Sequence, residues 1–120
     1  MQKAAAAALA GPQDCVAEFR AEFIELRDHM LKRLSEIPGV TCTKPEGAFY
    51  VYPNISAFLG KGGIRTATEL ATKLLHEAKV VTVPGEAFGT SEHIRLSYPV
   101  TKESIDEGTR RMGEYLTKLA

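Results

Sequence analysis

The segment Ile94-Arg95-Leu96-Ser97-Tyr98 carries the most specific chemical possibility in this chain. Its β-branched and aromatic residues read as a strand, and the two-residue period of a strand puts Ile94, Leu96 and Tyr98 on one face and Arg95 and Ser97 on the other. An arginine thus stands opposite the apolar side. Its guanidinium is a planar, permanently charged fork that meets a carboxylate through two parallel hydrogen bonds, which lysine cannot do. A solvated arginine, or one in a structural ion pair, fits the same pattern. The residues permit a carboxylate site without requiring one.

The other reactive side chains are scattered. Cys15, His29, Cys42, His76 and His93 share no close ligand spacing such as C-x-x-C or H-x-x-x-H, which argues against a metal site. Cys42 has no base beside it to generate a thiolate and reads as a structural thiol. Gly60-Lys61-Gly62-Gly63 could offer backbone N–H groups and one positive charge to a phosphate. It lacks the gap between glycines and the Ser/Thr after Lys of a P-loop, and a mobile surface loop is the simpler reading. No two carboxylates or histidines fall on a convincing common face, so the chain shows no acid/base pair of its own.

The elements that must position Arg95 follow from periodicity. Gln2 to Ala10 is almost all alanine and reads as a short helix stopped by Gly11-Pro12, with Gly11 as its cap and little to bury. From Asp14, the apolar residues Val16, Phe19, Phe23, Leu26, Met30, Leu34 and Ile37 recur at intervals of three and four, one stripe of a long helix ended by Pro38-Gly39. Val40 to Thr43 leans towards β structure, and Ala48 to Tyr52 is an aromatic, β-branched strand closed by Pro53. Ile55 to Arg65, with three glycines, reads as a loop. Thr66 and Glu69 form a capping box opening a helix that buries Leu70, Leu74 and Leu75. Lys79 to Val83 and His93 to Tyr98 read as strands flanking a turn-rich stretch. Thr101 caps a last helix with Ile105, Met112, Leu116 and Leu119 on one face. This order, with short connections, predicts an α/β fold: a two-layer sandwich whose small mixed or antiparallel sheet is covered by helices.

Composition bounds the function. The 120 residues hold 15 Lys+Arg and 15 Asp+Glu, and zero formal charge gives no reason to expect nucleic acid or an anionic membrane as partner. With 44% hydrophobic and 25% charged residues, the chain is an ordinary globular one with a real core, not a disordered one. Two cysteines allow at most one disulfide, which suits a reducing compartment. The apolar start is too short for a secretory signal, and no stretch approaches the ~20 apolar residues of a membrane span. The expected location is cytoplasmic.

Several segments together resemble one family. Pro45-Glu46-Gly47-Ala48-Phe49-Tyr50, Val83-Pro84-Gly85-Glu86-Ala87-Phe88-Gly89 and Ile94-Arg95-Leu96-Ser97-Tyr98, in this order and spacing, are similar to the C-terminal small domain of pyridoxal-phosphate-dependent class I/II aminotransferases, the aspartate aminotransferase-like enzymes. Gly11-Pro12-Gln13 and Leu26-Arg27-Asp28 extend the likeness over nearly the whole chain. The resemblance implies that residues 1–13 are an interdomain helix and linker remnant and residues 14–120 the small domain. It implies that Arg95 binds the substrate α-carboxylate, that Phe49 borders the substrate pocket, and that the turn from Pro84 to Gly89 shapes the mouth of the site without a catalytic role. It implies an amino acid and a 2-oxo acid as substrates, pyridoxal phosphate as cofactor, and a homodimer for the complete enzyme.

The family's Schiff-base lysine, the aspartate facing the pyridine nitrogen and the phosphate-holding groups belong to a large domain, and no lysine here falls in a matching motif. The expectation is therefore that this chain alone binds no cofactor and is inactive, because nothing in it would acidify a substrate Cα proton. Two other classes remain: a stand-alone ferredoxin-like module that binds a small molecule for regulation, which would share much of the same strand and helix order, and a stand-alone enzyme, for which the acid/base pair it would need is not evident.

Overall fold

The computed structural model describes residues 1–119. Four helices are present, α1 (Gln2–Ala10), α2 (Asp14–Ser35), α3 (Ala67–Lys73) and α4 (Lys102–Leu119), with three short strands, β1 (Tyr50–Val51), β2 (Val83–Pro84) and β3 (Ile94–Ser97). The sheet has the order β1-β3-β2 and is antiparallel throughout: Tyr50 and Val51 face Ser97 and Leu96, while Val83 and Pro84 face Arg95 and Ile94. β3 is central. Its alternation follows the sequence pattern, with Ile94 and Leu96 buried and Arg95 and Ser97 turned to the other side.

One face of the sheet is covered by helices and the other is open. Leu26, Met30 and Leu34 of α2, Ile105, Met112 and Leu116 of α4, and Leu70 and Leu74 beside α3 form one core with Val51, Ile94 and Leu96. This is the two-layer α/β arrangement expected from the element order. Thr109, the buried polar side chain of α4, is satisfied by donating to the Ile105 carbonyl at 2.7 Å. Both expected caps are made. Thr66 Oγ1 accepts from Glu69 N at 3.1 Å, and Thr101 Oγ1 accepts from Ser104 N at 3.2 Å. Glu69 turns back to Arg65 N rather than to Thr66, so the capping box closes one residue early. No described helix is long and apolar enough to cross a membrane.

Several boundaries differ from the sequence reading. The α2 stripe is covered only in its second half: Val16 and Phe19 are each 58% exposed, and α1 buries no residue at all. Gly11 ends α1 in an extended conformation, not a left-handed one, with its N–H on Ala7 O. Val40–Thr43 is no strand, because only Thr41 makes a bridge, to Asn54. The strand expected from Ala48 starts at Tyr50, because Ala48 adopts φ of 60°, a left-handed geometry that interrupts extended chain. Tyr98 holds that turn by donating its hydroxyl to Ala48 O at 2.8 Å. Lys79 is likewise left-handed, closing a π turn (Leu74–Ala78) that continues α3, so β2 is confined to Val83–Pro84.

The stretch Ile55–Arg65 is the loop expected from its glycines, but it also contributes to the core. It is irregular apart from a short 3-10 helix (Ser56–Phe58), yet Ile55, Phe58 and Ile64 are fully buried in the core. Leu75, conversely, is half exposed, since it lies about 100° round the helix axis from Leu74. Phe58→Ala is therefore expected to destabilise the chain by ~3–5 kcal/mol. Leu75→Ala should stay within ~0.5 kcal/mol of wild type. Equilibrium urea unfolding of the two variants measures the contrast, and equal small effects would contradict the placement of Phe58.

Candidate functional site

Arg95 projects from the central strand, pinned by the buried side chains before and after it. The guanidinium is half-buried, and among the described residues no carboxylate lies within ion-pair distance of it. Four other arginines behave differently. Arg27 pairs with Asp28, Arg33 with Asp106, and Arg110 and Arg111 share Glu107, whose carboxyl their N–H groups hold at about 2. Of the readings left open by the sequence, a structural ion pair is not what holds Arg95.

Aromatic rings hold it instead. The guanidinium carbon lies 4.7 Å from the centroid of the Phe88 ring and 5.3 Å from that of Tyr50. Its Nε is buried without a hydrogen-bond acceptor. Tyr50 arrives on the open face because it is the register partner of Ser97. Phe88 arrives on a 3-10 turn, Gly85–Phe88, that is closed by Gly89 at φ of 83°. Gly85 accepts no other residue without movement: a Cβ there would sit 2.5 Å from the carbonyl oxygens of His93 and Thr90. Tyr52 meets Phe88 edge-on at 6.1 Å, stacks on His93 at 4.8 Å, and shares a 2.5 Å hydrogen bond with Thr90 Oγ1.

The turn is tied on its other side by Glu86. Its Oε1 accepts from Ala67 N at 2.9 Å and Thr68 N at 3.4 Å, and Oε2 accepts from Thr68 Oγ1 at 3.3 Å. A carboxylate therefore sits at the positive end of α3 and satisfies its first free N–H groups. Neither Tyr50, Phe88 nor Glu86 stands out as a functional residue in the sequence. The available signal was the glycine at each end of the Gly85–Gly89 segment, which marks a turn built for close approach.

Phe49 is 56% exposed and touches Tyr50 edge-on at 6.4 Å. It stands next to the Arg95 surface and reaches Arg95 only through Tyr50. Two open surface grooves lie elsewhere. One of about 470 Å³ runs between β3 and α4, and one of about 420 Å³ lies beside the first half of α2. Arg95 lines neither. The other sequence candidates are accounted for locally. Burial pushes the Cys42 thiol above its usual range, which disfavours a thiolate. His29 pairs with Asp106 at 2.9 Å. Among the described residues no group of three His, Cys, Asp or Glu could hold a metal. The Gly60–Gly63 loop spends N–H groups on itself, Gly60 N on Ile64 O and Lys61 N on Phe58 O, so they are not free to cradle a phosphate.

The family model for aminotransferases of class I and II matches residues 1–112. The chain belongs to the class I and II aminotransferase family. The aspartate aminotransferase of Streptomyces avermitilis is 46% identical over 118 residues, covering 95% of this chain and 29% of that protein. The aspartate/prephenate aminotransferase of Cereibacter sphaeroides is 42% identical over 124 residues, covering 99% of this chain and 31% of that protein. The solved aspartate aminotransferase of Rhizobium meliloti superposes with a TM-score of 0.92 at 36% identity, over 99% of this chain and 31% of that one. The alanine aminotransferase of Pyrococcus furiosus superposes with a TM-score of 0.83 at 35% identity, over 93% of this chain and 28% of that one. This chain thus spans roughly three-tenths of the length of the aminotransferases it matches, with the same α/β fold over that span.

Glu86→Ala should cost about 1 kcal/mol by unfolding measurements, the usual size of a lost helix cap. Glu86→Gln should recover most of that loss, since an amide oxygen still accepts from Ala67 N. An Ala variant as stable as wild type would show that Glu86 does not tie the turn to α3.

Proposed function

We propose that this chain is the C-terminal small domain of a pyridoxal-phosphate-dependent, aspartate aminotransferase-like enzyme, with Arg95 as the anchor for the α-carboxylate of the substrate. Residues 1–13 are the helix and linker arriving from the large domain, and residues 14–120 are the small domain. The observation that carries the reading is the half-buried Arg95 guanidinium, which has no carboxylate partner among the described residues and stands on an open sheet face. The exposed Val16, Phe19 and α1 suit surface that another part of the enzyme covers.

In this reading the lysine that holds the cofactor belongs to the large domain. Among the described residues, Lys44 pairs with Asp28, Lys73 with Glu77 and Lys102 with Glu25, Lys79 donates to His76 O, and Lys61 lies over the Phe58 ring. Pyridoxal phosphate, when bound to the complete enzyme, supplies the electron sink for chemistry at Cα. The contribution of this chain is geometric. Arg95 grips the carboxylate through two parallel charge-assisted hydrogen bonds and so fixes the rotation of the substrate about its Cα–carboxylate axis. Its neighbouring rings exclude water, which strengthens the pair. Phe49 borders the same pocket. Because anchor and cofactor sit on separate domains, an amino acid or 2-oxo acid bridges them and favours closure. The complete enzyme is a cytoplasmic homodimer in this reading, and the isolated chain is inactive.

In the complete enzyme, Arg95→Lys should lower kcat/KM on the order of 10²-fold, about 3 kcal/mol for a fork replaced by a point charge. Unchanged kinetics would remove Arg95 from the site. For the isolated chain, incubation with pyridoxal phosphate and borohydride should label no single lysine preferentially. One uniquely modified lysine in the mass spectrum would contradict the division of labour.

A further inference from the structure

An arginine that is to receive a carboxylate has to be held still without using up its fork, because freezing a long side chain costs rotamer entropy at the moment of binding. The paired arginines of this chain are held by carboxylates on the fork itself, as Arg110 is by Glu107 at 2.8 Å. Among the described residues Arg95 has no such partner, and its guanidinium lies against the Phe88 ring at 4.7 Å. We infer that Phe88 is a positioning residue for Arg95: its ring holds the guanidinium in place while leaving the hydrogen-bonding edge free for a substrate carboxylate. The inference rests on the carboxylate-anchor reading of Arg95.

Packing does not explain a phenylalanine at this position, since Phe88 is 48% exposed. What the ring does touch is the cation on one side and Tyr52 on the other. Its place is also set with care. Thr90 N bonds to Gly85 O at 3.1 Å, Gly85 admits no side chain, and the Tyr52 hydroxyl ties the same turn through Thr90. Tyr50 offers a second ring at 5.3 Å, but it comes from the paired strand β1 and follows the sheet. Phe88 is presented by a turn that is tied independently of β1, to Tyr52 through Thr90 and to the start of α3 through Glu86. Cation–ring contact needs an aromatic face and not merely an apolar side chain, so the residue's role is separable from its bulk.

The test compares Phe88→Leu, which keeps apolar bulk, with Phe88→Tyr, which keeps the ring, in the complete enzyme. Phe88→Leu should lower kcat/KM about tenfold, the size of one partly desolvated cation–ring contact. Phe88→Tyr should lie within about twofold of wild type, and both melting temperatures should stay within about 2 °C. The Arg95 Nε–H proton, beside ring faces, should show a ring-current shift in the NMR spectrum that Phe88→Leu reduces and Phe88→Tyr retains. Wild-type kinetics in Phe88→Leu, failure of Phe88→Tyr to restore a loss, or an unmoved Nε–H resonance would each overturn the inference. If Arg95→Lys is damaging while Phe88→Leu is silent, this inference alone falls. A silent Arg95→Lys overturns the anchor reading and this inference with it.

Discussion

The burial of Ile94 and Leu96 in the central strand is the constraint on which the rest depends. Each is worth roughly 1.5–3 kcal/mol when removed from water. A slip of one residue would expose both and push a guanidinium into the core, at a further cost of several kcal/mol. Pairing on both edges, with Tyr50–Val51 and Val83–Pro84, locks that register. The direction in which Arg95 points is therefore a by-product of packing on the opposite face. The helices α2 and α4 act on the site without touching it.

On the open face, the structure holds a charge by means other than an opposite charge. A buried donor without an acceptor, such as Arg95 Nε, costs about 1–3 kcal/mol. The rings of Tyr50 and Phe88 offset part of that through their negative faces. The turn that presents Phe88 is fastened twice, to Tyr52 through Thr90 and to the start of α3 through Glu86. Sheet, turn and helix thus share one polar and aromatic frame around the guanidinium.

Legibility in the sequence tracked how local the physics is. The helices were readable because periodicity, Thr66 and Thr101 act within one or two turns. The alternation of β3 was readable because a central strand with one face buried obeys period two without interruption. Strand lengths were not, because Ala48 and Lys79 take left-handed geometry that residue type does not announce. The core role of Ile55, Phe58 and Ile64 was hidden for another reason. Glycines nearby signal a loop, but burial there comes from distant elements closing over it.

The sequence by itself determined that Arg95 stands opposite an apolar face, that helices cover a small sheet, and which family the motifs point to. The first two follow from residue chemistry and short-range spacing, the third from the resemblance of its motifs to a known family. Only the tertiary structure decided that Arg95 has no carboxylate partner among the described residues and that Phe88 and Tyr50 lie against it. Only it showed that Glu86 accepts from the first N–H groups of α3. These contacts join residues far apart along the chain, and their partners are chosen by how strands and turns converge in space.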